Sequence, residues 1–409
     1  MKPLVLAGRA IAVTAPDGAG ERFVLRLRTP GDVPEGPSDA AIVRSTADAG
    51  KARTAGFRSA VSVGLSDAEV RPFGRFVRLG DQFGHLADGD IIGVRPGTRS
   101  VRTLYRRSSA HNSFLVTERC NHWCLMCSQP PRDVDDGWII DEIADCLPLI
   151  DPAITSLGFT GGEPLLGWPR FIDLLAEARD RLPSVALHVL TNGRAFASAQ
   201  VASAWAALRH PHLTAGIPIY ATVNHIHDYV VQSRGAFDET VLGILRLKDH
   251  GQRVEVRVVL HAITAPRLVE TAAWLARNLP FVDHVALMGL EHTGFAIANQ
   301  DLLWIDPMDY RQQLADAVLL LQNAGLAVSV YNLPLCLLDR PVWPVAVQSI
   351  SDWKNGYLPD CDGCAARPQC AGFFSSGRPR YSRGVRRIPM DEFATAGCCT
   401  ETGTISAQL

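Results

Sequence analysis

The chain has 409 residues, of which 47% are hydrophobic and 20% charged, and its formal net charge is −2 at pH 7. This length predicts about two to four domains, each able to bury a sizeable core. The nearly balanced charge predicts neither a nucleic-acid partner nor an acidic membrane partner, and no apolar run approaches the roughly 20 residues of a membrane span.

The N-terminus, MKPLVLAGRAIAV, is a poor match to a secretory signal, because it has one lysine and a short apolar run that Arg9 interrupts. We therefore expect a cytoplasmic protein. Thiols stay reduced in that compartment, so the ten cysteines are expected to be metal ligands rather than a disulfide framework.

Residues 1–110 contain short β-prone runs, such as AIAVTA, RFVLRLR and DIIGVRP, which Gly, Pro and Asp clusters separate. This pattern is typical of a small β-rich domain.

Over residues 111–305, apolar runs of strand length alternate with stretches of helical periodicity. The predicted strands are 113–117, 154–160, 185–191, 214–221, 254–261 and 282–289. This alternation predicts right-handed βαβ crossovers and a parallel sheet, hence an α/β core. In such folds ligands bind at the C-terminal ends of the strands.

Residues 306–409 open with a predicted helix that Asp306 caps and that ends near Gly325. The segment after it is rich in Pro, Gly and Cys. Such a segment usually needs an additional stabilising cross-link, such as a bound metal. Its soft ligands are Cys336, Cys361, Cys364 and Cys370. Zinc and iron–sulfur binding both remain open on this chemistry. Cys398 and Cys399 are an alternative source of one ligand.

Three cysteines, Cys120, Cys124 and Cys127, follow the first predicted strand with C-x3-C-x2-C spacing. Structural zinc sites are closed by four ligands, whereas a catalytic metal site keeps one position open. Ligation by His122 would be strained, because it lies between two of the cysteines. Three thiolates therefore favour a metal centre with an open position.

The second predicted strand ends in GFTGGEPLL. Gly161 and Gly162 allow the backbone to approach a ligand closely, Glu163 adds a carboxylate and Pro164 stiffens the turn. Adjacent parallel strands lie about 5 Å apart, so this turn and the cysteine loop are expected to converge. Asn192, in LTNGR after the third strand, either contacts the same ligand or forms an ordinary Asn-Gly turn.

The cysteine loop followed by the GGEP turn resembles the radical S-adenosylmethionine (radical SAM) superfamily; Met126 stands where the family usually has an aromatic residue. The resemblance implies a partial (β/α)6 TIM-like barrel. It also implies a [4Fe–4S] cluster on Cys120, Cys124 and Cys127, with SAM on the free iron and its amino group on the GGEP turn. Asn192 is then a candidate SAM contact, and Arg257 a candidate partner of the SAM carboxylate.

The chemistry implied by this resemblance is reductive cleavage of SAM, followed by hydrogen abstraction from a substrate by the 5′-deoxyadenosyl radical. The C-terminal C-x2-C-x5-C spacing resembles SPASM or twitch extensions, which hold auxiliary [4Fe–4S] clusters. The SPASM pattern has a further cysteine where this chain has Phe374. We therefore expect one auxiliary cluster, on Cys336, Cys361, Cys364 and Cys370, that either accepts an electron or binds substrate.

Longer stretches, among them HNSFLVTERCNHWCLMCSQPPR and SLGFTGGEPLL, resemble the radical SAM maturase of the His-Xaa-Ser repeat peptide system. This resemblance implies a ribosomally made precursor peptide as substrate, a partner maturase and a one-electron reductant protein. One alternative is a radical SAM enzyme that acts on a small molecule or another protein. The other is a zinc-stapled binding protein without catalysis.

Overall fold

The computed structural model describes residues 5–15, 22–348, 355–374 and 381–394. The described residues form an 8-stranded, a 7-stranded and a 2-stranded sheet. No helix within these ranges is long and apolar enough to cross a membrane.

The 8-stranded sheet forms the N-terminal part of the chain. Its elements are β1 (Ala7–Arg9), β2 (Ala12–Thr14), β3 (Phe23–Arg28), β4 (Asp39–Val43), α1 (Thr46–Thr54), β5 (Ser59–Val63), α2 (Asp67–Val70), β6 (Arg75–Leu79), β7 (Ile91–Arg95) and β8 (Ser100–Tyr105). The expected β-rich N-terminal domain is therefore confirmed, and the predicted boundary at residue 110 lies between β8 and the next strand.

This N-terminal sheet closes on itself. Its strand order is β1-β8-β7-β3-β4-β5-β6-β2, so β1 and β2 lie at opposite edges although only two residues separate them. The connecting residues continue both pairings, because Ala10 N donates to Arg99 O (2.8 Å) and Ile11 N to Arg78 O (2.7 Å). A closed sheet has no free strand edge, and its interior is apolar, with Leu25, Leu27 and Val61 fully buried.

The 7-stranded sheet is entirely parallel, in the order β9 to β15 along the chain. Its strands are β9 (Ser113–Thr117), β10 (Ser156–Gly161), β11 (Ala186–Leu190), β12 (Leu213–Pro218), β13 (Arg253–Leu260), β14 (His284–Gly289) and β15 (Val328–Tyr331). The helices between them are α3 (Trp138–Cys146), α4 (Trp168–Arg181), α5 (Ala199–Ala207), α6 (Asn224–Val231), α7 (Ala236–Asp249), α8 (Leu268–Asn278), α9 (Phe295–Ala298), α10 (Gln300–Leu303) and α11 (Pro307–Asn323).

The predicted α/β class and partial TIM-like barrel are thus confirmed. All six predicted strands form, and β15 adds a seventh that we did not predict. It is four residues long and lies at one edge of the sheet, where it pairs with β14 and where Val330 forms a single parallel bridge to Ala346. A run that short carries too little periodicity to be recognised from sequence.

Alternate residues of these strands face opposite sides. The helix-facing side is apolar, as Leu187 and Val189 of β11 and Val254, Val256 and Val258 of β13 show. The other side carries polar groups, described below. Both faces of the sheet are therefore buried, but only the helix-facing one is apolar.

The N-terminal domain contacts the barrel through α3. The indole of Trp138 packs under two guanidinium groups, with Arg95 Cζ 4.3 Å and Arg102 Cζ 4.8 Å from the ring centroid. Arg102 also forms an ion pair with the buried carboxylate of Glu142. Charge and ring contacts therefore join the two units, in addition to apolar packing.

The C-terminal part contains α11, the short pair β16 (Asn355–Gly356) and β17 (Phe373–Phe374), and α12 (Met390–Ala394). Asp306 caps α11 as predicted, because its carboxylate accepts from Met308 N (3.0 Å). The same carboxylate accepts from Arg383 N (3.0 Å). One capping residue thus fixes both the start of α11 and the distant chain around residue 383.

Candidate active site

Cys120, Cys124 and Cys127 lie in the loop that follows β9, and all three are half-buried. Burial, together with the neighbouring Glu163 and Cys127 charges, raises the pKa of the Cys120 thiol to about 11. Burial also raises the pKa of Cys124, with added contributions from Cys127 and Cys120. The three thiols are therefore close enough to repel one another as thiolates, and a bound cation would relieve that repulsion.

Neighbouring elements hold this loop through its backbone. Trp123 N donates to Val231 O (3.1 Å) and Leu125 N to Val230 O (2.9 Å), at the end of α6. On the other side, Phe295 N donates to Cys127 O (2.8 Å) at the start of α9. The cysteine positions are thus set by hydrogen bonds that do not depend on the sulfur atoms.

Met126 stands where the resembling family usually has an aromatic residue. Its side chain is buried, and it packs in one apolar cluster with Tyr220, Val230 and Val231. Cys124 lies against the same cluster. Met126 therefore forms part of an apolar wall beside the cysteines.

The backbone of the GGEP turn is hydrogen-bonded to the start of the cysteine loop. Gly162 N donates to Thr117 O (2.7 Å) and Glu163 N to Arg119 O (2.8 Å). A Cβ at Gly162 would overlap the Arg119 carbonyl, and Gly161 has a φ of +136°, in the region that favours glycine. The sequence predicted close approach to a ligand; the close approach in the structure is to the cysteine loop itself.

Glu163 connects this turn to the one after β11. Its carboxylate is buried and accepts from Thr191 Oγ1 (2.7 Å), Asn192 N (2.6 Å) and Leu165 N (3.0 Å). Burial raises the pKa of Glu163 although these three donors oppose the shift. The side chain therefore braces two adjacent turns.

Asn192 forms the turn that the sequence offered as one of its two roles, and contact with a ligand stays a prediction. Its Oδ1 accepts from Arg194 N (3.0 Å), which is the local bond of an Asx turn. Its Nδ2 donates to Asn121 Oδ1 (2.6 Å), inside the cysteine loop. The ends of β9, β10 and β11 thus form one hydrogen-bonded unit, to which Asn121 and Thr191 contribute although sequence analysis did not identify them.

Arg257 lies on the polar side of β13, where it forms an ion pair with Glu255, two residues earlier. Glu255 is almost completely buried and also contacts His188 Nε2 (3.3 Å) and His284 Nδ1 (2.8 Å). Burial raises its pKa, but the Arg257 charge and the two histidines outweigh burial and hold the pKa well below its usual range. The second contact of Arg257 is a weak acceptor, Met288 Sδ (3.0 Å).

This buried network lies on β11, β13 and β14, and Arg257 is the member of it that sequence analysis proposed as a site residue. The available signal was the pattern VEVRVVL, in which Glu and Arg alternate with apolar residues and so share one side of the strand. In the structure, the carboxylate that contacts Arg257 is that of Glu255.

The four C-terminal cysteines also lie near one another. Burial raises the pKa of Cys336 to about 11, and the charges of Cys370, Cys361 and Cys364 act in the same direction. Backbone N–H groups point at two of the sulfurs: Leu335 N lies 3.4 Å from Cys370 Sγ and Ile388 N lies 3.3 Å from Cys364 Sγ. Cys398 and Cys399 lie outside the described residues.

Both cysteine sets are chemically suited to iron–sulfur clusters, since thiolate sulfur is the donor that such clusters use. Within the described ranges, the His, Cys, Asp and Glu side chains form no group of three or more that would hold a single metal ion.

Comparisons with known proteins agree with the central motif. Residues 114–275 match the family model described as Radical SAM superfamily. None of the curated proteins matches the sequence.

Several solved structures are similar to the fold. They are Streptococcus suis SuiB bound to S-adenosylmethionine (14% identity, TM-score 0.42, 53% of this chain and 49% of that chain), anSMEcpe with bound AdoMet (15%, 0.42, 53% and 62%) and a radical SAM methyltransferase from Sphaerobacter thermophilus (16%, 0.42, 59% and 72%). The matched region spans about half the length of the SuiB chain.

Proposed function

We propose that the protein is a radical SAM enzyme that modifies a ribosomally made precursor peptide, on the premise that residues 114–275 match the Radical SAM superfamily model. One observation carries the enzyme proposal. The cysteine loop and the GGEP turn share two backbone hydrogen bonds, Gly162 N to Thr117 O and Glu163 N to Arg119 O. The ligands of a metal centre and a glycine-rich turn are thereby held as one rigid unit.

In this proposal Cys120, Cys124 and Cys127 hold a [4Fe–4S] cluster, and Gly161, Gly162, Glu163 and Pro164 form the SAM-binding turn. When bound, the cluster supplies the electron that cleaves SAM, and SAM supplies the radical that removes a substrate hydrogen. Glu163 acts through position, because its carboxylate is already satisfied by Thr191, Asn192 and Leu165.

Asn192 and Arg257 are the proposed side-chain contacts of SAM. Asn192 already reaches the cysteine loop through Asn121. Arg257 has a weak thioether acceptor on one terminal nitrogen, so that nitrogen can exchange Met288 for the SAM carboxylate at little cost. Glu255 then keeps the guanidinium oriented from the other side.

The apolar wall beside the cysteines is proposed to exclude water from the reacting atoms. Met126, Tyr220, Val230 and Val231 form it. His122 is buried next to it, and burial lowers its pKa to about 3, so its ring is neutral. A dry site of this kind protects a reactive radical from side reactions.

The C-terminal cysteines Cys336, Cys361, Cys364 and Cys370 are proposed to hold an auxiliary [4Fe–4S] cluster with no open position. Four thiolates close a cluster completely, which suits electron transfer or a structural role. Backbone N–H groups point at the Cys364 and Cys370 sulfurs, and hydrogen bonds to the sulfurs help to set the reduction potential of such clusters.

The peptide substrate is the finer part of the proposal and rests on the sequence stretches that resemble the His-Xaa-Ser maturase. Together with the peptide substrate we propose a partner maturase, a one-electron reductant protein and a cytoplasmic location. A small-molecule or other protein substrate is the alternative. Peptide-dependent SAM turnover in a panel of candidate peptides supports the maturase, and turnover that depends on no peptide contradicts it.

The test of the enzyme proposal is anaerobic reconstitution and reduction with SAM, followed by measurement of 5′-deoxyadenosine. The wild type is expected to form it and Cys124→Ala to form none. Cys146→Ala is the matched control, because Cys146 is fully buried in α3. A colourless wild type that contains zinc and no iron or sulfide would instead support the zinc-stapled binding protein.

A further inference from the structure

A short segment of the C-terminal extension, residues 386–388, passes over the C-terminal cysteines. Ile388 N lies 3.3 Å from Cys364 Sγ. Burial raises the pKa of Cys336, and a hydrogen bond from the backbone N–H of Arg386 opposes that rise. Two sulfurs of this set therefore accept hydrogen bonds from one segment of backbone.

The guanidinium of Arg386 lies beside two of these cysteines. A bidentate ion pair with Glu392 holds it in place, with Nη1 2.8 Å from Oε2 and Nη2 2.6 Å from Oε1. This pair raises the pKa of Arg386; burial opposes the rise, and negative charge on Cys336 and Cys364 adds to it. The Arg386 charge is thus close enough to both sulfurs to stabilise negative charge on them.

The guanidinium of Arg387 lies over the loop that joins Cys361 to Cys364. Gly363 is in that loop, and a Cβ there would be 3.2 Å from Arg387 Cζ. Because glycine has no Cβ, the charged group can approach the backbone between the two cysteines closely. A second positive charge therefore faces the C-terminal set from the same segment.

Acidic side chains share this part of the extension. Asp360 and Asp362 flank Cys361, and Asp362 lies 3.7 Å from the guanidinium of Arg367. Glu392 is the acid of the bidentate pair described above. Removal of either arginine of the 386–388 segment would therefore leave the surroundings of these cysteines more negative.

The cysteine loop after β9 has a different electrostatic environment. Burial raises the pKa of Cys120, and the negative charge of Glu163 adds to the rise. An iron–sulfur cluster gains one negative charge when it is reduced, so nearby cations and N–H groups at its sulfurs raise its reduction potential and nearby anions lower it. The two cysteine sets are therefore expected to tune a cluster in opposite directions.

We propose that Arg386 and Arg387 raise the reduction potential of the cluster on the C-terminal cysteines. The inference rests on the proposed function, because it takes these cysteines to hold a [4Fe–4S] cluster. A higher potential makes that cluster a better one-electron acceptor, which is one of the roles that the sequence left open. Both arginines act through their charge and do not ligate iron.

The test is a potentiometric titration of the reconstituted full-length protein, followed by electron paramagnetic resonance of the reduced cluster. Cys120, Cys124 and Cys127 are changed to Ala, so that the signal comes from the C-terminal cluster. In this background, Arg386→Gln together with Arg387→Gln is expected to lower the equilibrium constant for one-electron reduction about tenfold, a shift of about 59 mV. A fall smaller than about threefold, or a rise, overturns the inference.

Two further variants separate charge from structure. Arg386→Lys together with Arg387→Lys keeps both charges but cannot form the planar bidentate pair, and it should keep the potential within about threefold of the unchanged arginines. Lys variants that behave as the Gln variants do would contradict a role for charge. Arg383→Gln is the matched control in the same part of the chain, because Arg383 pairs with Asp306 (3.2 Å) and Asp309 at the start of α11, and it should leave the potential unchanged.

The outcomes separate this inference from the proposed function. A background protein that binds no iron and sulfide refutes the proposed auxiliary cluster and the inference with it, whereas a cluster whose potential does not respond to the Gln changes refutes the inference alone. The formation of 5′-deoxyadenosine by the wild type tests SAM cleavage independently of both. If the double Gln variant holds no cluster, Arg387→Gln alone decides, since a lowered potential supports the inference and an unchanged one contradicts it.

Discussion

Glu163 shows how one buried side chain can brace two adjacent turns. The carboxylate is buried and accepts three hydrogen bonds, from Leu165, Thr191 and Asn192. An amide has only one acceptor oxygen, so Glu163→Gln leaves at least one buried donor unpaired. We expect the free energy of unfolding to fall by about 1–3 kcal/mol, measured by urea titration.

The control for this change is Asp173→Asn, an exposed acid on α4. It should change the free energy of unfolding by less than about 0.5 kcal/mol. If the two variants lost the same stability, the bracing role of Glu163 would be refuted.

Two buried histidines, His227 and His261, predict how stability depends on pH. Burial lowers the pKa of each to about 4, with Asp228 opposing the shift at His227. The unfolded chain binds these protons below about pH 6.5, whereas the folded chain does not until about pH 4. Above pH 6.5 each ring is neutral in both states and makes no pH-dependent contribution; as the pH falls from 6.5 toward 4, each histidine destabilises the fold by about 1.4 kcal/mol per unit.

Replacement of His227 by Asn should remove one such contribution, because the amide oxygen can still accept the bond from Tyr220 N. Unfolding free energies at several pH values between 4 and 6.5 should then fall less steeply than in the wild type. His225→Asn, the exposed neighbour on α6, should leave the slope unchanged. Parallel slopes for His227→Asn and wild type would contradict a neutral buried ring.

The turns that end β9, β10 and β11 behave as one structural element, and Gly162 is where they pack most closely. A Cβ at Gly162 would overlap the Arg119 carbonyl, which is backbone and cannot turn away. Gly162→Ala should therefore displace the GGEP turn from the cysteine loop by a fraction of an ångström or more. Small misplacements of this kind cost about a hundredfold in rate.

We expect Gly162→Ala to lower SAM cleavage by about that factor, measured as 5′-deoxyadenosine per reconstituted cluster. Gly167→Ala is a matched control in the same segment, since a Cβ there meets nothing within 4 Å. Equal activity of the two variants would show that the turn does not position SAM.

Sequence analysis predicted the motifs of this element but not the bonds between them. Spacing and composition located Cys120, Glu163 and Asn192 near three strand ends, because parallel strands bring their ends to one edge. The partners Asn121 and Thr191 have no distinctive pattern, and only the fold brings them within hydrogen-bonding distance.

The strand β15 and the Glu255 network were missed for different reasons. The strand is too short for its periodicity to be recognised. Glu255 became interpretable only when β11 and β14 placed His188 and His284 beside it, since no local pattern joins residues that far apart in sequence.

At the scale of the whole molecule, one cluster of aromatic and charged side chains helps to join the N-terminal domain to the barrel. Trp138 stacks under Arg95 and Arg102, and Arg102 pairs with Glu142. Trp138→Ala removes both cation–π contacts, each of which contributes about 0.5–2 kcal/mol. We expect scanning calorimetry to show the N-terminal domain unfolding in a separate, earlier transition.

Trp274→Ala is the control, because Trp274 on α8 contacts Phe237 of the barrel rather than the N-terminal domain. It should lower the main transition without splitting it. If Trp138→Ala also unfolded in one cooperative step, other contacts would have to hold the two units together.

The most direct test of the central claim is electron paramagnetic resonance of the reduced clusters with and without SAM. In a variant with Cys336, Cys361, Cys364 and Cys370 all changed to Ala, a single [4Fe–4S] signal should remain, and SAM should shift it. In Cys124→Ala, any remaining cluster signal should not respond to SAM. A signal that depends on the C-terminal cysteines and responds to SAM, or the absence of any SAM-dependent shift, would contradict the account.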